Sequence, residues 1–210
     1  MKDSTPAIDI REKDLAHNRG AFRDCLGYLP PGIRDAVDIR YGLGGWAQEL
    51  KESHSDCKLV GYEKDPGTSA QASIPEGHIL NCREYEPPTL ELCDLLMADF
   101  NNLTCRHSFR GPGPEPLIEA VEDLSPRYII FTDTACARLH LNWRVSYGLS
   151  SPDMGEYWEQ FPLPGYRLMG WSRVHFHAST SVWARSRSAW ARYKRKGPAT
   201  VPGPEGRNRG

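Results

Sequence analysis

Short apolar runs rich in Val, Ile, Leu, Tyr and Phe recur along the chain, separated by polar, Gly- and Pro-bearing stretches. Runs of this length and composition read as strands, and five are placed before residue 135: 36–41, 57–65, 77–82, 93–100 and 127–133. Between them the apolar positions take helical spacing over 45–54 and 117–124, and a further helix is expected over about 135–146. A first helical pattern covers 9–27, with Gly20 as a weak point and Pro30-Pro31-Gly32 as its stop. Pro66-Gly67 opens a short helix or turn. Two long final runs, "GYRLMGWSRVHFH" and "TSVWARS", are separated only by Ala178-Ser179 and read as an antiparallel hairpin.

Strands joined by helical or long crossovers must pair in parallel, and crossover handedness then favours a doubly wound sheet. The expected class is α/β: a Rossmann-like, mostly parallel sheet of seven strands that closes with a C-terminal antiparallel hairpin. Three regions follow: an N-terminal extension with a helix over 1–32, a single catalytic-size domain over 33–186, and a basic, Pro/Gly-rich tail over 187–210 expected to be disordered.

Composition changes this picture little. The 210 residues suffice for one real core, and the 39% hydrophobic share fits a domain with polar loops and tail. Neither a membrane-length apolar run nor a secretory apolar region is present, so a cytoplasmic protein is expected. The six cysteines form no CxxC pair, which argues against structural zinc or a disulfide framework and for reduced, partly buried thiols. No metal site is expected: His175 and His177 share one strand face but lack an evident third ligand.

Charge is informative because it is uneven. Residues 184–210 carry eight Lys or Arg against one Glu, a net of +7, which leaves −8 on residues 1–183 and −1 overall. Such a tail can meet nucleic-acid phosphates or remain a solvated segment. Loop 101–116, with Arg106, His107 and Arg110, offers a second cationic surface.

Doubly wound sheets bind ligands where strands end. Read in order, the strand ends here present Asp38 with Gly42 and Gly44, then Glu63, Asn81-Cys82, Asp99-Phe100-Asn101-Asn102 and Thr132-Asp133-Thr134. The stretch "DIRYGLGGWAQEL" joins a strand to a helix through glycines that admit close approach of a ligand to bare backbone. Glu63 follows at the interval suited to a ribose-binding acid.

These residues resemble the class I S-adenosylmethionine-dependent methyltransferases, whose first motif is an acid followed by spaced glycines, here Asp38-Ile39-Arg40-Tyr41-Gly42-Leu43-Gly44-Gly45. Arg40 stands where the family usually has its first glycine. The resemblance covers roughly residues 33–185 and points most to small phage-type DNA/RNA methyltransferases. It implies S-adenosylmethionine as cofactor. Asp38 would lie near the methionine amino group, with Tyr41, Gly42 and Gly44 forming the cradle. Glu63 would hold the ribose, Asn81 and Cys82 would meet the adenine, and Asp99 would stand beside the transferred methyl. It also implies Asp99, Phe100, Asn101 and Asn102 as the catalytic segment, a counterpart of the [Asp/Asn/Ser]-Pro-Pro-[Tyr/Phe/Trp] motif of base-amine methyltransferases without its prolines.

The expected function is methyl transfer to nucleic acid, at a base amine or related acceptor. Small-molecule or protein methylation by the same fold, and a degenerate binding protein, stay open. So does NAD binding, since "GLGGWA" also satisfies the dinucleotide pattern; Asp38 would crowd a pyrophosphate there. Asn101-Asn102 can equally shape a turn, and Trp143, Tyr147, Tyr157 and Trp158 can line a base pocket or fill the core. Gly44→Asp is expected to abolish cofactor binding while leaving the fold intact.

Overall fold

The computed structural model describes residues 18–86, 93–99, 115–134, 163, 165–175 and 178–186. A helix, α1, occupies the described residues 18–26. There follow β1 (Asp35–Asp38), α2 (Gly45–Ser53), β2 (Lys58–Tyr62), α3 (Pro66–Ser69), β3 (Ile79–Asn81), β4 (Leu95–Asp99), α4 (Glu115–Leu124), β5 (Tyr128–Thr134), β6 (Tyr166–His175) and β7 (Ala178–Arg185). The seven strands form one sheet in the order β3-β2-β1-β4-β5-β7-β6. Strands β1 to β5 pair in parallel, while β7 runs antiparallel to both β5 and β6. The doubly wound sheet with its closing hairpin is therefore present.

The central strands are apolar throughout because both faces are covered. In β4, Leu95 and Met97 point to one side and Leu96 and Ala98 to the other. The first side packs against Phe22, Cys25 and Leu26 of α1 and Trp46, Ala47 and Leu50 of α2. The second meets Leu117, Ala120, Val121 and Leu124 of α4. Phe22 stacks on Trp46 at 4.3 Å between centroids, joining α1 to α2. Beside this stack Glu49, 1% exposed, accepts from Arg19 Nε at 2.9 Å and from Arg23 Nε at 2.6 Å. Burial raises the Glu49 carboxyl, but the hydrogen bonds from Arg23 and Arg19 outweigh it and hold the group below its ordinary value.

The same helix reaches across to the hairpin. Cys25 Sγ donates to the Thr180 carbonyl, Ser172 Oγ donates to Asp24 at 2.7 Å, and Tyr28 lies over Gly170, where any side chain would collide with its ring. Cys25, Cys57 and Cys93 are buried and unpaired, and burial pushes each thiol up to about 12. Cys82 is exposed. No helix among the described residues is long and apolar enough to cross a membrane.

Several strands are shorter than the apolar runs suggest. β1 stops at Asp38 because the Asp38 carboxylate accepts the Arg40 N–H at 2.9 Å and turns the chain. β2 stops at Tyr62 because Asp65 caps α3 through the Thr68 N–H, with Pro66 at the first helical position. The hairpin turn is also displaced from its expected place. Ala178 and Ser179 are strand residues, paired with Thr134 and Asp133, with β6 ending at His175 and β7 beginning at Ala178. The expected helix at 135–146, loop 101–116, the tail, and His177, Trp143, Tyr147, Tyr157 and Trp158 lie outside the described residues.

Candidate cofactor site at the carboxyl ends of the strands

Strand order reverses between β1 and β4, and a parallel sheet opens a crevice at such a point. Asp38 ends β1 and Asp99 ends β4, so two carboxylates stand at the mouth of that crevice. Asp38 is 1% exposed. Burial pushes its carboxyl up to about 8; the Arg40 N–H opposes the rise, and the charges of Asp99 and Glu63 add to it. Acidic groups thus gather at these strand ends, and burial favours the protonated form of Asp38.

The chain leaves β1 through a turn fastened from several sides. Ile39 N–H donates to the Met97 carbonyl and Tyr41 N–H to the Tyr62 carbonyl, each at 3.0 Å. Arg40, at the family's first glycine position, keeps an ordinary backbone, since Ser125 is the one non-glycine with positive φ among the described residues. A side chain is thus accommodated there without backbone strain.

The two glycines have different tasks. Gly42 has φ +56° and open space where a side chain would project. Gly44 has φ +82° and directs its missing side chain into the Ser73 carbonyl oxygen and the Tyr41 ring. Gly44→Asp would therefore disturb the turn itself, and the expectation that it spares the fold is corrected: Gly42 is the position that faces unfilled space.

Tyr41 is buried beneath the turn, packed against Gly61, and its hydroxyl donates to the Ser73 carbonyl at 2.8 Å. Glu63, one residue beyond β2, accepts from the Gly42 N–H at 3.1 Å and from the Asp65 N–H at 2.9 Å. Its own N–H donates to the Asn81 carbonyl at 3.1 Å, which ties the ends of β2 and β3 together. Asn81 is half-buried and Cys82 exposed on that rim. Phe100, Asn101 and Asn102 lie outside the described residues.

One site residue was not anticipated from sequence. Asn18 of α1 is 7% exposed, and its Nδ2 donates to Asp99 Oδ2. The signal was a polar residue one helical turn before Phe22, on the apolar stripe of Phe22, Leu26 and Leu29.

A sheet ordered β3-β2-β1-β4-β5-β7-β6, with an acid-and-glycine turn after β1, has the Rossmann-like fold of the class I methyltransferases. Among solved structures, the chain is similar to the plantazolicin methyltransferase BpumL in complex with SAH, with TM-score 0.53, 13% identity, and 85% of this chain and 87% of that one covered. It is also similar to a chain of the fibrillarin/Nop5p complex, with TM-score 0.58, 8% identity and coverage of 81% and 82%. A third is the magnesium protoporphyrin IX methyltransferase ChlM of Synechocystis PCC 6803 with bound SAM, with TM-score 0.51, 10% identity and coverage of 89% and 86%. No protein-family model matches the sequence, and no curated protein does.

Proposed function

We propose that this chain is an S-adenosylmethionine-dependent methyltransferase. The observation that carries the reading is the buried Asp38 carboxyl at the end of β1, beneath a turn whose Gly42 faces open space. S-adenosylmethionine, when bound, supplies a methyl group activated by its sulfonium. Its two positive centres match a recess framed by Asp38 and Asp99. A dinucleotide would bring an anionic pyrophosphate to the same place, where the Gly42 N–H is already given to Glu63. That arrangement favours the sulfonium cofactor over NAD.

In this reading Asp38 and Asp99 bind the cationic end of the cofactor, and Glu63 accepts from the ribose hydroxyls. Asn81 and Cys82 border the adenine, and Gly42, Gly44 and Tyr41 shape the cradle. The acceptor is brought in line with the methyl by the segment that begins at Asp99 and continues through Phe100, Asn101 and Asn102. Positioning of this kind supplies most of the rate in a displacement that needs little acid–base help.

The acceptor we favour is nucleic acid, as in small phage-type enzymes, on the strength of the +7 charge over residues 184–210. The −8 on the rest of the chain favours the second reading, a small-molecule or protein acceptor. The fold neighbours do not decide between these readings: they include a plantazolicin methyltransferase, a magnesium protoporphyrin IX methyltransferase and a Methanococcus jannaschii fibrillarin pre-rRNA processing protein.

Calorimetry with S-adenosylmethionine, S-adenosylhomocysteine and NAD tests the cofactor. Binding of the first two alone is expected; binding of NAD alone would overturn the reading. Transfer of labelled methyl to DNA, RNA or peptide mixtures then assigns the acceptor, and label confined to peptide would remove the nucleic-acid reading.

A further inference from the structure

Asn18 has a polar atom with no evident use in the fold. Its Nδ2 is committed to Asp99, but Oδ1 is buried and accepts no hydrogen bond among the described residues. Exchanging the amide's two ends would turn oxygen toward the Asp99 carboxylate and sacrifice the donor, so the orientation is fixed by its partner. A buried acceptor without a donor is unfavourable and uncommon in native proteins. Folding alone does not account for it here, because a Leu of similar shape would continue the stripe of Phe22, Leu26 and Leu29.

The position of this atom is tightly held. Arg19 and Arg23, the next residues of α1 toward solvent, are fastened to Glu49 of α2, and Phe22 is stacked on Trp46. The helix therefore cannot easily rotate Asn18 toward water. Asn18 contacts Asp99, and Asp99 in turn lies within electrostatic reach of Asp38. Oδ1 is an acceptor, so its missing partner is a donor, and the Asp99 carboxylate that Asn18 already holds favours a cationic one.

We infer that Asn18 is a cofactor-binding residue whose Oδ1 accepts a hydrogen bond from a primary ammonium, the α-amino group of the cofactor's amino-acid portion, alongside the carboxylates of Asp38 and Asp99. An ammonium carries three N–H donors and can satisfy three acceptors at once. The inference rests on the cofactor reading above and deepens it: a residue of the N-terminal helix, outside the motifs at the strand ends, completes the polar end of the site.

The test compares S-adenosylmethionine with 5′-methylthioadenosine, which keeps the nucleoside but lacks the amino-acid portion. Affinities are measured by calorimetry for the full wild-type chain, Asn18→Leu and Asn18→Ala, with thermal melts to confirm that each variant folds; Ala, the best helix former, serves if Leu does not. Loss of a hydrogen bond to a charged group predicts about 10- to 100-fold weaker binding of S-adenosylmethionine, with 5′-methylthioadenosine unchanged. Unchanged affinity for S-adenosylmethionine in a folded variant overturns the assignment, as does an equal loss for both ligands, which marks a structural role. If the wild-type chain binds neither ligand, the cofactor reading itself fails and the assignment falls with it.

Discussion

At the level of single residues, Asp38 has the clearest consequence. Its folded value near 8 lies above the ordinary 3.8, so the folded chain holds a proton that the unfolded chain has released. Stability of the ligand-free protein should therefore fall as pH rises between these values, by up to about 1.4 kcal/mol per pH unit, and level off above pH 8. Asp38→Asn should remove that decline and melt higher than wild type in alkali, which thermal scans across pH would check. The same variant should lose affinity for S-adenosylmethionine, because Asn, unlike Asp38, cannot give up a proton and become a carboxylate when the ammonium arrives. The glycines make a second pair of tests. Gly42→Ala should cost about 1–2 kcal/mol from its left-handed backbone and weaken cofactor binding beyond that. Gly44→Ala should cost of the order of 3 kcal/mol because strain adds to a collision with backbone. Urea melts beside calorimetry would separate the two, and equal effects of both variants on binding and stability would contradict the division of labour. The placement of Asp38 and Asp99 at strand ends, and of Gly42, Gly44 and Glu63 in the turns that follow, was legible from a spaced pattern. Asn18 was not, because it meets Asp99 across 81 residues of chain and no local spacing encodes such a contact.

At the level of elements, the pairing of α1 with α2 has the opposite pH signature. Glu49 is held below its ordinary value in the folded state, so its contribution is complete above the unfolded value and is lost as pH falls through the folded one. Glu49→Gln should flatten the acid limb of the stability profile and increase amide exchange over residues 18–26, with little change in exchange along β4. Uniform exchange throughout would show that α1 is not a separable unit. Element type and order were readable from period and punctuation, and the boundaries were not. Arg40 and Tyr41 extend the apolar run of β1, yet the Asp38 side chain captures the Arg40 N–H and bends the chain before they can pair. In the hairpin, Ala178 and Ser179 look like turn residues by size, but the register with β5 keeps them in β7. Side-chain capture and sheet register are tertiary facts that a local window does not hold.

For the whole molecule, the proposed function together with the division of charge predicts that cofactor and acceptor affinity can be separated. Removing residues 187–210 should leave affinity for S-adenosylmethionine unchanged while weakening nucleic acid, and the logarithm of nucleic-acid affinity should fall with that of salt by about 0.9 per phosphate contact. Filter binding across salt, with and without the tail, measures both. Cofactor at 100 times its dissociation constant should add about 2.7 kcal/mol of stability. The architecture was legible because parallel strands require crossovers and the last two runs allowed none. The acceptor surface was not, because charge along a chain does not say which groups converge.

The long reach of α1 also bears on the order in which the protein is made. Its helix leaves the ribosome early, but Cys25 hydrogen-bonds Thr180, 155 residues later, and Asp24 meets Ser172 at a separation of 148. Contacts so distant in sequence form only after nearly the whole domain has been synthesised. During translation the nascent chain therefore carries the acids and glycines of its strand ends well before the hairpin completes the contacts of α1. A chain stalled before the hairpin would hold β1 to β5 and the contacts of α1 with α2, yet lack the bonds by which Thr180 and Ser172 fasten α1 from its other side.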